Sequence, residues 1–165
     1  PATPAKYASA LKFSEGRIHL IGIVVAQCKE CTVDVNTRSD VILSGQFGSK
    51  KDNFGDQIIS VKGESNATFS GTLYGSGRRY NADIVVGQWS DQDKDASSID
   101  IRKLKHDEGR DIRIVKRLFS AKIKHSGNVK VLWLPSIGMT AYVWFKGLVR
   151  KVSGIKSGEK GPSWL

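Results

Sequence analysis

Few residues in this chain have types and spacings that could do chemistry. The stretch "IVVAQCKECTVDVN" carries both cysteines, Cys28 and Cys31. A C-x-x-C pair ahead of a helix would suggest a dithiol redox site, because a helix N-terminus lowers a thiol's pKa. Here β-like sequence flanks the pair on both sides, which argues against that chemistry. A structural zinc needs four ligands, yet there is no second cysteine pair and His19, His106 and His125 are scattered. A local Cys28–Cys31 disulfide or two reduced core thiols remain. In an exported protein the disulfide is expected, and so short a loop would serve to set a bend more than to restrict the unfolded chain.

"DQDKDASSID" places Asp91, Asp93 and Asp95 at alternate positions, the spacing of the first three oxygen ligands in a calcium loop. The glycine expected next is Ala96, and the twelfth position is Arg102 instead of Glu. A Ca²⁺ site would therefore need Asp100 or a backbone carbonyl to complete it; the other reading is a solvated acidic turn. The opposite charge dominates further on. Residues 101–165 hold 15 of the 26 Lys and Arg but only 4 of the 16 acids. Among these cations are Arg102, Lys103, Lys105, Arg110, Arg113, Lys116, Arg117, Lys122 and Lys124; Arg113 sits between Ile112 and Ile114, and Lys122 and Lys124 flank Ile123, which puts cations on one strand face. Such a face can bind phosphates or other anions with salt-sensitive, largely sequence-independent affinity. Trp133, Tyr142, Trp144 and Phe145 could stack on bases, although the apolar strands around them favour core packing. Catalytic patterns are missing. The chain has no G-x-S-x-G or H-E-x-x-H, and "GSGRR" lacks the lysine of a phosphate loop, so no enzyme is expected.

The elements that must position these groups read as β throughout. A chain of 165 residues with 39% apolar content suits one domain with a real core. Residues 1–16, with two prolines and several small residues, read as an extended arm. "RIHLIGIVV", "CTVDVN", "SDVILSG", "QIISVKG", "SNATFSGTLYG", "YNADIVVGQW", "IDIRKLK", "IRIVKRLF", "AKIK", "VKVLWL", "TAYVWFKG" and "LVRKVS" read as strands. "SGRR" and "HSGN" read as hairpin turns. No fixed-period repeat is evident. About ten short strands with regular turn signals predict an all-β, antiparallel β-sandwich over 17–153, followed by a tail over 154–165. No apolar run approaches the roughly 20 residues of a membrane-spanning helix. The sequon Asn66-Ala67-Thr68 matters only in a eukaryotic secretory route.

"IGIVVAQCKECTVDV" resembles the opening of secreted carboxypeptidase-regulatory-like and transthyretin-like sandwich domains, an opening shared by pollen Ole e 1-like proteins. "VKGESNATFSGTLYGSGRRYNADIVVG" is similar to the paired strands of those domains. The resemblance covers about residues 17–95, lacks a turn glycine at 64–67 and the family's further cysteines, and leaves the basic third unaccounted for. It implies a binding or structural module. With "PATPAKYASA" resembling a mature end after signal removal, the expectation is a non-enzymatic extracellular or cell-surface protein. Its partners would be copies of itself, joined by strand addition into a filament or matrix. The alternative partner is an anionic polymer, nucleic acid or acidic polysaccharide, held by the basic third.

Overall fold

Branched and aromatic residues at alternate positions form strands wherever the described chain carries them. The computed structural model describes residues 9–25, 31–48, 56–77, 82–87, 97–117 and 121–133. They make nine strands: β1 (Leu11–Val25), β2 (Cys31–Gly48), β3 (Gln57–Val61), β4 (Asn66–Tyr74), β5 (Ile84–Val86), β6 (Ser98–His106), β7 (Ile112–Lys116), β8 (Lys122–Lys124) and β9 (Val129–Trp133). Every pairing is parallel, in one sheet bent as a half-barrel, with the order β8-β6-β4-β2-β3-β5-β7-β9 and β1 on β2.

This corrects the expected antiparallel sandwich. "HSGN" does not close a hairpin, since β8 pairs with β6 and β9 with β7. Likewise β4 and β5 are not partners: β4 lies between β2 and β6, and β5 between β3 and β7. The physical reason lies in the register. β1 occupies one edge along nearly all of β2, so β3 and β4 must share the other edge, one after the other. Successive turns of chain therefore stack as coils, each contributing a segment to a first ribbon (the start of β2, then β3, β5, β7 and β9) and one to a second (the end of β2, then β4, β6 and β8). Stacking coils bury equivalent positions on one another, and that selects the next coil as partner over the strand beyond the turn.

A repeat underlies this. Residues 31–48 and 57–74 pair at a constant offset of 26, so "SDVILSGQF" lies on "SNATFSGTL". The first three bends between ribbons each fall on two residues with positive φ: Glu15 and Gly16, Thr37 and Arg38, Gly63 and Glu64. Buried serines follow the bend at Ser39 and Ser65, with the Ser39 amide donating to Ser65 Oγ at 3.1 Å, and Ser97 is buried ahead of β6.

Inside, columns of equivalent residues form the core. Val33, Ile59, Ile84 and Ile114 stack in the first ribbon; Val41, Ala67 and Ile99 stack in the second, with Leu43 on Phe69 beside them. The first ribbon is buried on its other face too, at Asp34, Ser60, Val85 and Val115. The second ribbon presents its outer side to solvent, with exposed residues at Ile42, Gln46, Asn66, Thr68, Lys103, Lys105, Lys122 and Lys124.

Gly45 and Gly71 pair where the second ribbon bends. Gly71 has φ +111°, and a Cβ there would land on the carbonyl oxygen of Gly45. Gly71→Ala is expected to cost about 1–3 kcal/mol of stability from strain and overpacking, read as a lowered urea midpoint with an unchanged slope.

Candidate polyanion-binding face

The nine cations of the basic third divide into groups with different work. β6 alternates inward Ile99, Ile101, Leu104 and His106 with outward residues, and a bulge between Thr68 and Ser70 of β4 adds one residue at 101–102. That extra residue shifts the alternation, so Lys103 and Lys105 continue outward beyond Asp100. β8 pairs Lys122 with Ser98 and Lys124 with Asp100, and both lysines are exposed. Four lysines thus project from neighbouring coils of one ribbon. Coils are about 4.8 Å apart and alternate residues about 6.6 Å apart along a strand, so the cations form a two-dimensional array. Beside Lys105 a shallow groove of about 270 Å³ runs past His106, Arg110, Ser126 and Asn128.

Asp100 moderates this charge. Its carboxylate accepts from Arg102 Nε at 3.0 and 3.1 Å, from Nη2 at 2.6 Å and from the Arg102 amide at 3.1 Å. The Arg102 hydrogen bonds hold the Asp100 carboxyl below its usual range against a smaller opposing effect of burial, with Lys124 also lowering it; Asp100 in turn raises Arg102. Because the folded value lies below the unfolded one, the pair's stabilisation is complete above the unfolded value and is lost as pH falls through the folded one. Asp100→Asn removes one negative charge and releases Arg102. Affinity for a polyanion is expected to rise about 2- to 5-fold at low salt and to converge with the parent at high salt, measurable by fluorescence anisotropy titration.

Arg110 and Arg113 serve a different purpose. The side chain of Asp83 is wholly buried ahead of β5 and accepts from Arg110 Nη1 at 2.8 Å and Nη2 at 2.9 Å, and from the Arg113 amide at 2.9 Å. Arg113 Nη2 lies 3.8 Å from the same carboxylate. Asp83 raises the pKa of Arg110, so this cation is held in place at every ordinary pH. Arg110 Nη2 also donates to the carbonyl of Gly75 at 2.9 Å, and His106 Nε2 meets that carbonyl at 2.8 Å while Nδ1 accepts from the Glu108 amide. These contacts lock the turn after β4 to the turn after β6. Lys116 and Arg117, half-buried, close β7 away from the lysine array.

The remaining candidates are placed as follows. Asp91, Asp93 and Asp95 lie outside the described residues, as do Tyr142, Trp144, Phe145 and Cys28; Asp100 is engaged by Arg102. Among the described residues no cluster of three His, Cys, Asp or Glu could hold a metal ion. Cys31 is buried, with Sγ 3.2 Å from Ser9 Oγ, beside a polar pocket shared with Asp34, Asp56 and Lys62. No disulfide is found among the described residues. No helix among them is long and apolar enough to cross a membrane.

Sequence reasoning found the cations but missed the neutral part of the face. In the two coils before the lysines, the outward positions carry Asp40 (paired with Arg17), Ile42, Ser44 and Gln46 on β2 and Asn66, Thr68, Ser70 and Thr72 on β4. The signal was present in the 26-residue repeat, which aligns these positions. No family model, curated protein or solved structure matches this chain.

Proposed function

We propose that this protein is a binding module for an anionic polymer, held on the outer side of the second ribbon. The observation that carries the reading is the exposure of four lysines on the outer side of adjacent coils, Lys122 and Lys124 beside Ser98 and Asp100, and Lys103 and Lys105 further along β6. Parallel coils suit this work, because core columns hold each lysine's backbone in position while its ammonium group stays in solvent. A polymer lying across the array meets several cations at once and releases condensed counterions.

The test is binding of fluorescent polyphosphate across a salt series. Four contacts predict a log–log slope of about −3. Lys103→Glu combined with Lys124→Glu is expected to weaken binding more than tenfold and roughly halve that slope. Binding indifferent to salt, or unchanged in the double variant, would overturn the reading.

One observation favours a second reading, a structural subunit that stacks end to end. Among the described residues β1 pairs only with β2, and Ile21 and Val24 on β1 are 75% and 77% exposed. An open, apolar parallel edge can accept another coil. A light-scattering mass well above one 18.1 kDa chain that survives high salt would support it; a monomer at every salt would sink it.

A further inference from the structure

From the composition of the whole second-ribbon face, and resting on the polyanion reading above, we infer that the anionic polymer is an acidic polysaccharide, a chain bearing both hydroxyl and carboxylate groups, and not a nucleic acid. Three observations converge on this chemistry.

First, the described residues of the face supply no stacking platform. Among the described residues, the aromatic rings of this ribbon are Phe47 and Phe69, both fully buried and packed edge to face at 5.5 Å, and Tyr74 at its end. Single-stranded nucleic acid draws much of its affinity from bases stacked on exposed rings, and nothing outward on β4, β6 or β8 supplies one. Second, the lysines lie beside hydrogen-bonding groups of the preceding coils, on both sides of the β6 bulge. Ser70 pairs with Lys103 and Thr72 with Lys105, while Asn66 and Thr68 lie two coils from Lys122 and Lys124, across β6. Hydroxyl and amide side chains donate and accept, as the hydroxyls of a sugar ring require; a bare phosphate chain, which only accepts, would leave the side-chain acceptor oxygens unused. Third, the cations are lysines. Each is a point charge on a flexible stem that suits a carboxylate presented at variable angle, whereas the exposed arginines beside them are already engaged, Arg102 by Asp100 and Arg17 on β1 by Asp40.

A linear polyuronate laid across the coils would thus place hydroxyls on the β2–β4 rows and carboxylates on the β6–β8 lysines. Binding is non-covalent and makes no demand on a catalyst.

The experiment compares four probes on the intact chain: polygalacturonate, its methyl-esterified form, polyphosphate and oligo-dT, matched for length and, among the charged ones, for charge concentration. The variant is Thr68→Val with Thr72→Val, which deletes two hydroxyls while keeping branched strand residues; thermal melting checks that it folds. The expected result is polygalacturonate binding about tenfold tighter than polyphosphate or oligo-dT, with the esterified form much weaker than the acid. The Thr variant should lose about fivefold or more on polygalacturonate and stay within twofold of the parent on polyphosphate. Oligo-dT binding as tightly as polygalacturonate, or the Thr variant weakening both polymers alike, would overturn the inference while leaving the polyanion reading intact. If none of the charged probes bound at low salt, both would fall. If the esterified form bound as well as the acid, the lysines would have no part and both would fall as well.

Discussion

Arg110→Ala is expected to destabilise the protein by about 3 kcal/mol or slightly more, the low end of the cost of leaving a buried charge uncompensated. Asp83 is completely shielded from solvent and its two oxygens are held by the fork of Arg110 at 2.8 and 2.9 Å. Removing the guanidinium leaves that carboxylate with the Arg113 amide and a more distant Arg113 side chain at 3.8 Å. It also removes the donor to Gly75 that ties two turns together. Urea unfolding measures the loss. The diagnostic comparison adds Asp83→Ala: if the stranded charge is what costs, the double variant should be no less stable than Arg110→Ala alone, a large departure from additivity. Additive losses would show that Arg110 acts through packing instead. The outcome also bears on function, since Arg110 belongs to the basic third yet is committed to the interior; its loss should change stability far more than the salt slope of polyanion binding.

Phe69→Ala is expected to cost about 3–5 kcal/mol, as for other large buried aromatics. Phe69 is fully buried in the middle of the stack, on Leu43 of the preceding coil and facing the bulge of β6 that turns Lys103 outward. Its ring meets Phe47 edge to face, at 81° between planes, an arrangement that adds about 0.5–1.5 kcal/mol to simple burial. Phe69→Leu should recover most of the stability because it keeps an apolar filling of the column. A loss below about 1 kcal/mol for the alanine variant would mean the inner columns do not pack as described.

Much of the local structure was legible from sequence. "QIISVKG", "SNATFSGTLYG", "IDIRKLK", "IRIVKRLF" and "AKIK" overlap β3, β4, β6, β7 and β8, with ends differing by one to three residues, because alternation of branched and polar residues is a local property. "CTVDVN" and "SDVILSG", read as two strands, are one strand that bends at Thr37 and Arg38. Left-handed conformations at Thr and Arg carry no sequence flag comparable to glycine, so that corner could not be distinguished from a loop. Partner choice was not legible at all. Alternation is equally compatible with a hairpin and with a coil, and "HSGN" has good hairpin chemistry. The decision came from residues 26 apart: Ser39 with Ser65, Leu43 with Phe69, Gly45 with Gly71.

The candidate site shows the same division. That Lys103, Lys105, Lys122 and Lys124 alternate with apolar residues, and that the positive charge concentrates after residue 100, the sequence by itself determined. That these four share an exposed face while Arg110 turns inward to Asp83, and that Thr68 and Thr72 precede them in register, only the tertiary structure decided. Charge and periodicity are properties of neighbours along the chain, whereas a face and a buried ion pair are made by residues of different coils, which only stacking brings together.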